Sequence, residues 1–376
     1  LKPETNDMLI GLEASALHGC KSGVGYYTEN LLGTVMSMAP QHDYVLFSNR
    51  DMGDTWGRLG GEVIYRRHFF RVRAAWMQTM LPRALREVGP DICHYTNYLA
   101  PLYSSCPYIV TIYDMTLFIT PRMHRFKKLA LDRTMIPRVA RRANAIITVS
   151  NSAREDIVRF LRVPRRKVKV IPGAVSSAFR PVRDRLVLET VRARHGLTAP
   201  YILYVGTIEP RKNLLRLVQA FAQLKKRGLP HKLAIVGQQG WHTAPIFAEV
   251  EHLGLKRDVV FTGYVPFDDL PALYSAAEAM AFPSLYEGFG LPVVEAMACG
   301  TPVVTSNSSS LAEVADGAAL LVNPLSVPQI ANALYSVSSD DDLRADLSER
   351  GLQRAAQFTW EQSARATLDL YESVGA

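Results

Sequence analysis

Short, almost wholly apolar runs alternate with longer segments of helical spacing from one end of the chain to the other. In the first half these runs fall at 8–12, 44–48, 62–65, 91–94, 108–113, 145–149 and 168–171; helix-like segments at 24–38, 74–88, 126–142 and 152–161 stand between them. The second half repeats the pattern, with runs at 201–205, 232–236, 259–261, 279–282, 302–305 and 319–322. A strand with one wet face alternates apolar and polar residues. Runs apolar throughout are covered on both faces, as in a parallel sheet with helices on each side. The pattern therefore predicts an α/β fold of two doubly wound, Rossmann-like domains. Residues 172–200 between the halves are polar, basic and irregular. They place an N-terminal domain at 1–175, a linker at 176–199 and a C-terminal domain at 200–359, with a terminal helix over 360–376. Ligands of open parallel sheets sit beyond the carboxyl ends of the strands, here in a cleft between the two domains.

Composition narrows the classes. Of 376 residues, 48% are hydrophobic and 21% charged, the profile of a globular chain with enough apolar surface to fold. No apolar stretch approaches the ~18 residues of a membrane-spanning helix. Cys20, Cys93, Cys106 and Cys299 are too few and too scattered for a disulfide framework or a zinc site, and Cys93 and Cys299 sit in apolar runs as small core residues. Residues 1–7 show no basic-then-apolar leader pattern, which points to the cytoplasm. Charge is uneven: residues 1–180 hold 26 basic and 14 acidic side chains, the remainder 17 and 21. A basic first half suits phosphates, anionic lipid or nucleic acid.

The stretch from Phe282 to Ala296 carries the strongest chemical signal. An apolar run ends at Pro283, a loop containing Gly288, Phe289 and Gly290 follows, and Leu291-Pro292 opens a helix. Glycines permit close approach of a ligand to the backbone, and a helix start offers amide donors to a phosphate. Glu287 and Glu295 flank this loop, and each can grip a pair of sugar hydroxyls; acids in these places also suit an ordinary helix start. A second stretch, 201–213, again reads strand, loop and helix, with Gly206 at the strand end and Arg211-Lys212 beyond it. Two adjacent cations there can clamp a pyrophosphate, or can be plain surface. Gly237 and Gly263, the latter followed by Tyr264 and Val265, mark two further strand ends.

These residues resemble a known family. Val205-Gly206 with Arg211-Lys212-Asn213, then Phe261 to Val265, then Glu287 to Pro292 with Glu295-Ala296, are similar to the retaining GT-B glycosyltransferases of family 4 and their paired-glutamate signature. Phe358-Thr359-Trp360-Glu361 resembles that family's C-terminal segment, which returns to the first domain. The resemblance implies that Arg211 and Lys212 bind a donor diphosphate, Glu287 the donor sugar, Glu295 the ribose and the backbone near Tyr264-Val265 the base. Family members often carry arginine directly after the strand glycine; here Thr207 stands there. Gly23-Val24-Gly25 resembles the family's glycine-rich loop in the first domain, although as a dinucleotide fingerprint it lacks the third glycine. Tyr113-Asp114 stands where the family commonly reads His-Asp, and a tyrosine donates a hydrogen bond but carries no positive charge. His94 and Asn97, after another strand, complete the candidates on the acceptor side, although a lone histidine is more often structural.

The expected activity is thus transfer of a hexose, with retention, from a nucleotide diphosphate sugar to a glycan or lipid-linked acceptor. The form of Thr207-Ile208-Glu209-Pro210-Arg211-Lys212-Asn213 resembles mannosyltransferases of surface-polysaccharide assembly, which implies GDP-mannose, with UDP-sugars left open. With two cations and a helix start facing the leaving diphosphate, no cofactor and no divalent ion is required. Asp340-Asp341-Asp342 looks like an acidic helix cap rather than a metal site. Residues 66–76 and 122–142 interleave arginines with aromatics, which suits peripheral contact with an anionic membrane, or a solvated basic face. No helix-turn-helix or zinc motif points to nucleic acid. A non-catalytic nucleotide-sugar-binding protein and a GT-B sugar-nucleotide epimerase remain alternatives.

Overall fold

In the computed structural model the described residues are 7–18, 23–50, 63–67, 72–121 and 126–375. The chain forms two compact units, Leu1–Ala174 with Thr359–Ala376, and Val175–Phe358.

The first unit runs β1 (Leu9–Glu13), α1 (Gly23–Met38), β2 (Asp43–Ser48), β3 (Val63–Arg67), α2 (Arg73–Thr79), α3 (Leu81–Val88), β4 (Ile92–Tyr95), β5 (Tyr108–Thr111), α4 (Thr116–Ile119), α5 (Phe126–Arg142), β6 (Ala145–Thr148), α6 (Asn151–Leu161) and β7 (Val168–Val170). Its sheet is parallel throughout, in the order β3-β2-β1-β4-β5-β6-β7. The central strands β4, β5 and β6 are buried along their whole length, as continuous apolar runs require. The single helix expected over 74–88 is two, α2 and α3. Pro82 brings no N–H and its ring would meet the carbonyl four residues back, so the helix restarts at Leu81.

The second unit runs α7 (Arg185–Arg194), β8 (Tyr201–Val205), α8 (Leu214–Lys226), β9 (Lys232–Val236), α9 (Ala244–His252), β10 (Val259–Gly263), α10 (Leu270–Ser275), β11 (Ala279–Phe282), α11 (Leu291–Ala298), β12 (Val303–Ser306), α12 (Ser309–Ala315), β13 (Leu320–Val322), α13 (Val327–Ser339) and α14 (Asp341–Ala355). Its parallel sheet has the order β10-β9-β8-β11-β12-β13. The 176–199 segment, expected as an irregular linker, carries α7 and clusters with this unit. Asp184 caps α7 by accepting from Leu186 N and Val187 N at 2.9 and 3.3 Å, while only Val191 of the helix is buried, which is why hydrophobic periodicity does not show it.

The last helix, α15 (Trp360–Gly375), returns to the first unit. Trp360 meets Tyr27 of α1 edge to face at 5.5 Å, and Ser363 Oγ donates to Pro172 O at 2.9 Å. Asp340 caps α14 by accepting from Leu343 N at 2.9 Å, and Asp341 pairs with Arg344, so the acidic triplet is a helix start.

Candidate active site

In the second unit the strand order reverses between β8 and β11: β9 and β10 lie to one side, β12 and β13 to the other. Loops leaving two such strands diverge and open a crevice at the carboxyl edge of the sheet. Both stretches singled out in the sequence leave these two strands, 206–213 after β8 and 283–290 after β11.

The backbone sets the site before any charge does. Gly237, at the end of β9, has φ +145°, and a Cβ there would lie 2.0 Å from Gly206 O; the two strand ends touch through their main chains. Gly290 has φ +107° and leads into α11, and a Cβ would lie 2.6 Å from Leu311 Cδ2. The loop after β11 is pinned on several sides. Asn213 Nδ2 donates to Pro283 O at 2.9 Å, and Ser306 Oγ to Ser284 O at 2.6 Å. Glu287 N donates to Ser309 Oγ at 3.1 Å, while Ser310 Oγ donates to Glu287 O and Phe289 O at 2.9 and 3.0 Å. Phe289 is buried against Phe358 at 5.4 Å, and Gly288 is buried beside it. Leu291, in the first turn of α11, is half-buried.

Pro210–Lys212 form a 3-10 turn that sends both basic side chains toward the β11 loop. Arg211 Nη1 donates to Glu287 Oε2 at 2.6 Å and to Tyr286 O at 2.8 Å; Lys212 Nζ donates to Glu287 Oε1 at 2.7 Å. Lys212 Nζ also lies 5.0 Å from the Phe282 ring centroid, a cation–π distance. The other guanidinium nitrogen, Nη2, donates to Glu209 Oε1 at 2.6 Å. All four side chains are at most about one-fifth exposed. Burial by itself would raise the Glu287 carboxyl, but the Arg211 and Lys212 charges and hydrogen bonds outweigh it and hold it at about 2. Burial lowers the Lys212 ammonium, with Glu287 opposing that shift.

Glu295 stands two turns of chain beyond, in α11, where Tyr274 donates to its Oε2 at 2.9 Å. Burial pushes this carboxyl up to about 7, and the tyrosine hydrogen bond pulls it back only in part. Two acids eight residues apart in one loop and helix are thus shifted in opposite directions from the ordinary carboxyl value. Tyr264, at the β10 end, is exposed, and Val265 beside it is buried.

In the first unit the candidates distribute differently. Gly23, Val24 and Gly25 do not form a free loop; they are the opening turn of α1. His94 is corrected from a ligand-facing residue to an interior one. It is fully buried on β4, its ring nitrogens hydrogen-bonded to Tyr371 Oη at 2.7 Å and Thr111 Oγ1 at 2.8 Å, and burial drives the imidazole down to about 3. Tyr113 is buried too, its hydroxyl donating to Thr96 O at 2.8 Å and meeting Thr28 Oγ1 at 3.3 Å. Asp114 Oδ1 accepts from Thr116 N at 2.9 Å and Thr116 Oγ1 at 2.6 Å at the start of α4. Asn97 is half-buried, and its carbonyl accepts from Arg73 at 3.1 Å. Arg73 also makes a two-pronged contact with the fully buried Glu13 at the end of β1. Glu13 stands in no sequence motif and Arg73 lies in the basic-aromatic segment 66–76; the sequence reading misses both as partners in a site. It also misses Glu209, Tyr274 and the 306–310 serines. Of these, Glu209 lies inside a quoted motif and Ser308-Ser309-Ser310 form a visible run, whereas nothing in the sequence links Tyr274 to Glu295. Residues 68–71 and 122–125 of the two basic-aromatic segments, and Cys20, lie outside the described residues. No described helix is long and apolar enough to cross a membrane.

Comparison with known proteins gives concordant results in both units. The family profile described as glycosyl transferases group 1 matches residues 189–354, and that of glycosyltransferase family 4 matches 22–179. The O-antigen chain mannosyltransferase B of Escherichia coli is 34% identical over 301 residues, 80% of this chain and 77% of that one. The serotype-specific mannosyltransferase WbdA of Escherichia coli is 33% identical over 61% of this chain, which spans only 28% of that protein's length. Among solved structures, sucrose-phosphate synthase from Thermosynechococcus elongatus superposes with a TM-score of 0.77 at 22% identity, over 97% of this chain and 98% of that one. Anabaena Alr3699/HepE, solved in complex with UDP and glucose, gives 0.76 at 18% identity, over 97% of this chain and the whole of the other. The structural likeness shows the fold: α/β, with two Rossmann-like domains of the GT-B class.

Proposed function

The chain belongs to the family 4, group 1 glycosyltransferases, and from that premise we propose that it transfers mannose from GDP-mannose to a glycan or lipid-linked acceptor with retention of anomeric configuration. The observation that carries this reading is the cluster of Arg211, Lys212 and Glu287 at the switch point of the second sheet, with Glu295 in the helix that follows. Arg211 and Lys212 take the donor diphosphate, Glu287 the sugar hydroxyls and Glu295 the ribose; the main chain near Tyr264 and Val265 holds the base. The similarity of the chain to a mannosyltransferase over most of both lengths supports mannose.

Charge builds on the diphosphate as the glycosidic bond breaks. Fixed donors already aimed at that charge lower the barrier without reorganising, and removing one such donor typically costs ~2.7–4 kcal/mol. The two cations and the first turn of α11 fill that role, so the reaction proceeds at full rate in the presence of a metal chelator. The acceptor sits on the first unit, where Asp114 and Asn97 are candidates to meet it. The exposed Tyr103, stacked under Arg142 at 5.1 Å, and the arginines of α5 favour contact with an anionic lipid surface.

A radiolabelled panel of GDP- and UDP-sugars with a lipid extract tests the reading. The expected result is a mannosylated product from GDP-mannose, with an axial new linkage by NMR. A UDP-sugar as the only donor overturns the base assignment, and an isomerised nucleotide sugar or no turnover overturns transfer itself. Binding to vesicles containing anionic lipid, lost as salt rises, is expected for the lipid-surface role; equal binding to neutral vesicles contradicts it.

A further inference from the structure

Glu209 lies two residues before Arg211, and its side chain is 6% exposed with Oε1 on Arg211 Nη2. Its backbone is extended and its carbonyl accepts from Lys212 N at 3.1 Å, so the same residue anchors the 3-10 turn and the guanidinium. A guanidinium is planar and rigid; holding one nitrogen fixes the plane and direction of the other. That other nitrogen, Nη1, points at Glu287 Oε2. Glu209 and Glu287 together balance the charges of Arg211 and Lys212. A site built only to attract a diphosphate would gain nothing from a second buried carboxylate beside its cation, because that charge opposes the ligand. Its contribution is therefore aim, not attraction.

We propose that Glu209 is a positioning residue, which holds Arg211 by one edge while the other edge passes from Glu287 to the diphosphate of the donor. The inference rests on the donor-site reading above and deepens it. Without Glu209, both terminal nitrogens, Nη1 and Nη2, turn to Glu287, and an arriving diphosphate must break a tighter pair.

The test compares calorimetric affinities for GDP and GMP, or for UDP and UMP if the donor panel selects uridine, across wild type, Glu209→Ala, Glu209→Gln and Arg211→Ala. The diphosphate-to-monophosphate affinity ratio isolates contacts to the β-phosphate. Arg211→Ala is expected to lower that ratio about tenfold, the scale of one charge-assisted hydrogen bond. Glu209→Ala is expected to lower it by a similar factor, and Glu209→Gln, whose amide oxygen still accepts from Nη2, to keep it within about threefold of wild type. Tighter diphosphate binding in both Glu209 variants would mean that Glu209 acts through charge alone. Equal loss of both nucleotides together with a lowered Tm would mean a purely structural role. Either outcome overturns the proposal. If Arg211→Ala leaves the ratio unchanged, the donor-site reading itself fails; if only the Glu209 variants leave it unchanged, this inference alone fails.

Discussion

Glu287 keeps its charge inside the protein because two cations close on it, and that arrangement is a poor source of stability. A buried ion pair regains in mutual attraction roughly what its ions lost in hydration, whereas removing one partner strands the other at ~3–5 kcal/mol. Lys212→Ala and Glu287→Ala are accordingly expected to lower stability in urea and to lower transfer by at least about 10²-fold per folded molecule. Replacing both charges, Lys212→Met with Glu287→Gln, leaves the Arg211–Glu209 pair balanced. It should restore most of the stability in urea while transfer stays lost. Recovery of transfer in the double variant would show that the pair serves the fold alone. Glu295 has the opposite sign. Its carboxyl is raised in the folded chain to about 7 from an ordinary 4.5, so the stability it supports is complete below pH 4.5 and declines as pH rises through about 7. Glu295→Gln should flatten that part of the stability profile in thermal melts; an unchanged slope from pH 5 to 8 would contradict the burial of its charge.

The elements explain what the residues are held by. Gly237 and Gly206 bring the ends of β9 and β8 into main-chain contact, so Gly237→Ala must push two strand ends apart next to the cation turn. Overpacking of this kind typically costs about 1–3 kcal/mol, readable in urea, and donor KM should rise with it. Asp340→Ala is the control at the far end of the unit: loss of the α14 cap is expected to cost about 0.5–2 kcal/mol with transfer unchanged. Loss of activity there would give the acidic triplet a role beyond capping the helix. Sequence alone reaches far at this scale. All thirteen apolar runs are strands, because a strand buried on both faces writes itself as an uninterrupted apolar run. The second-unit motifs are legible because one continuous loop and helix carries Glu287 and Glu295, and one turn carries Arg211 and Lys212. What stays illegible depends on contacts between distant positions. Tyr274 reaches Glu295 across 21 residues, Glu13 meets Arg73 across 60, and His94 is claimed by Tyr371 across 277. A histidine at a strand end reads the same whether it faces a ligand or a tyrosine from the last helix. α7 escapes notice for a different reason, since it buries too little to show a period.

At the scale of the molecule, two parallel sheets of Rossmann order divide the chemistry: the second unit carries the cation pair and paired acids, the first the basic surplus. Sheets of this topology offer their loops at one edge, and Arg211, Lys212 and Glu287 of the second unit meet where the strand order reverses. The claim on which the rest depends is that these four side chains hold an activated sugar. A crystal structure with GDP-mannose bound tests it most directly. Diphosphate oxygens are expected within hydrogen-bond distance of Arg211 and Lys212, mannose hydroxyls on Glu287 and ribose hydroxyls on Glu295. A nucleotide bound elsewhere, with Arg211 and Lys212 still closed on Glu287, would contradict it.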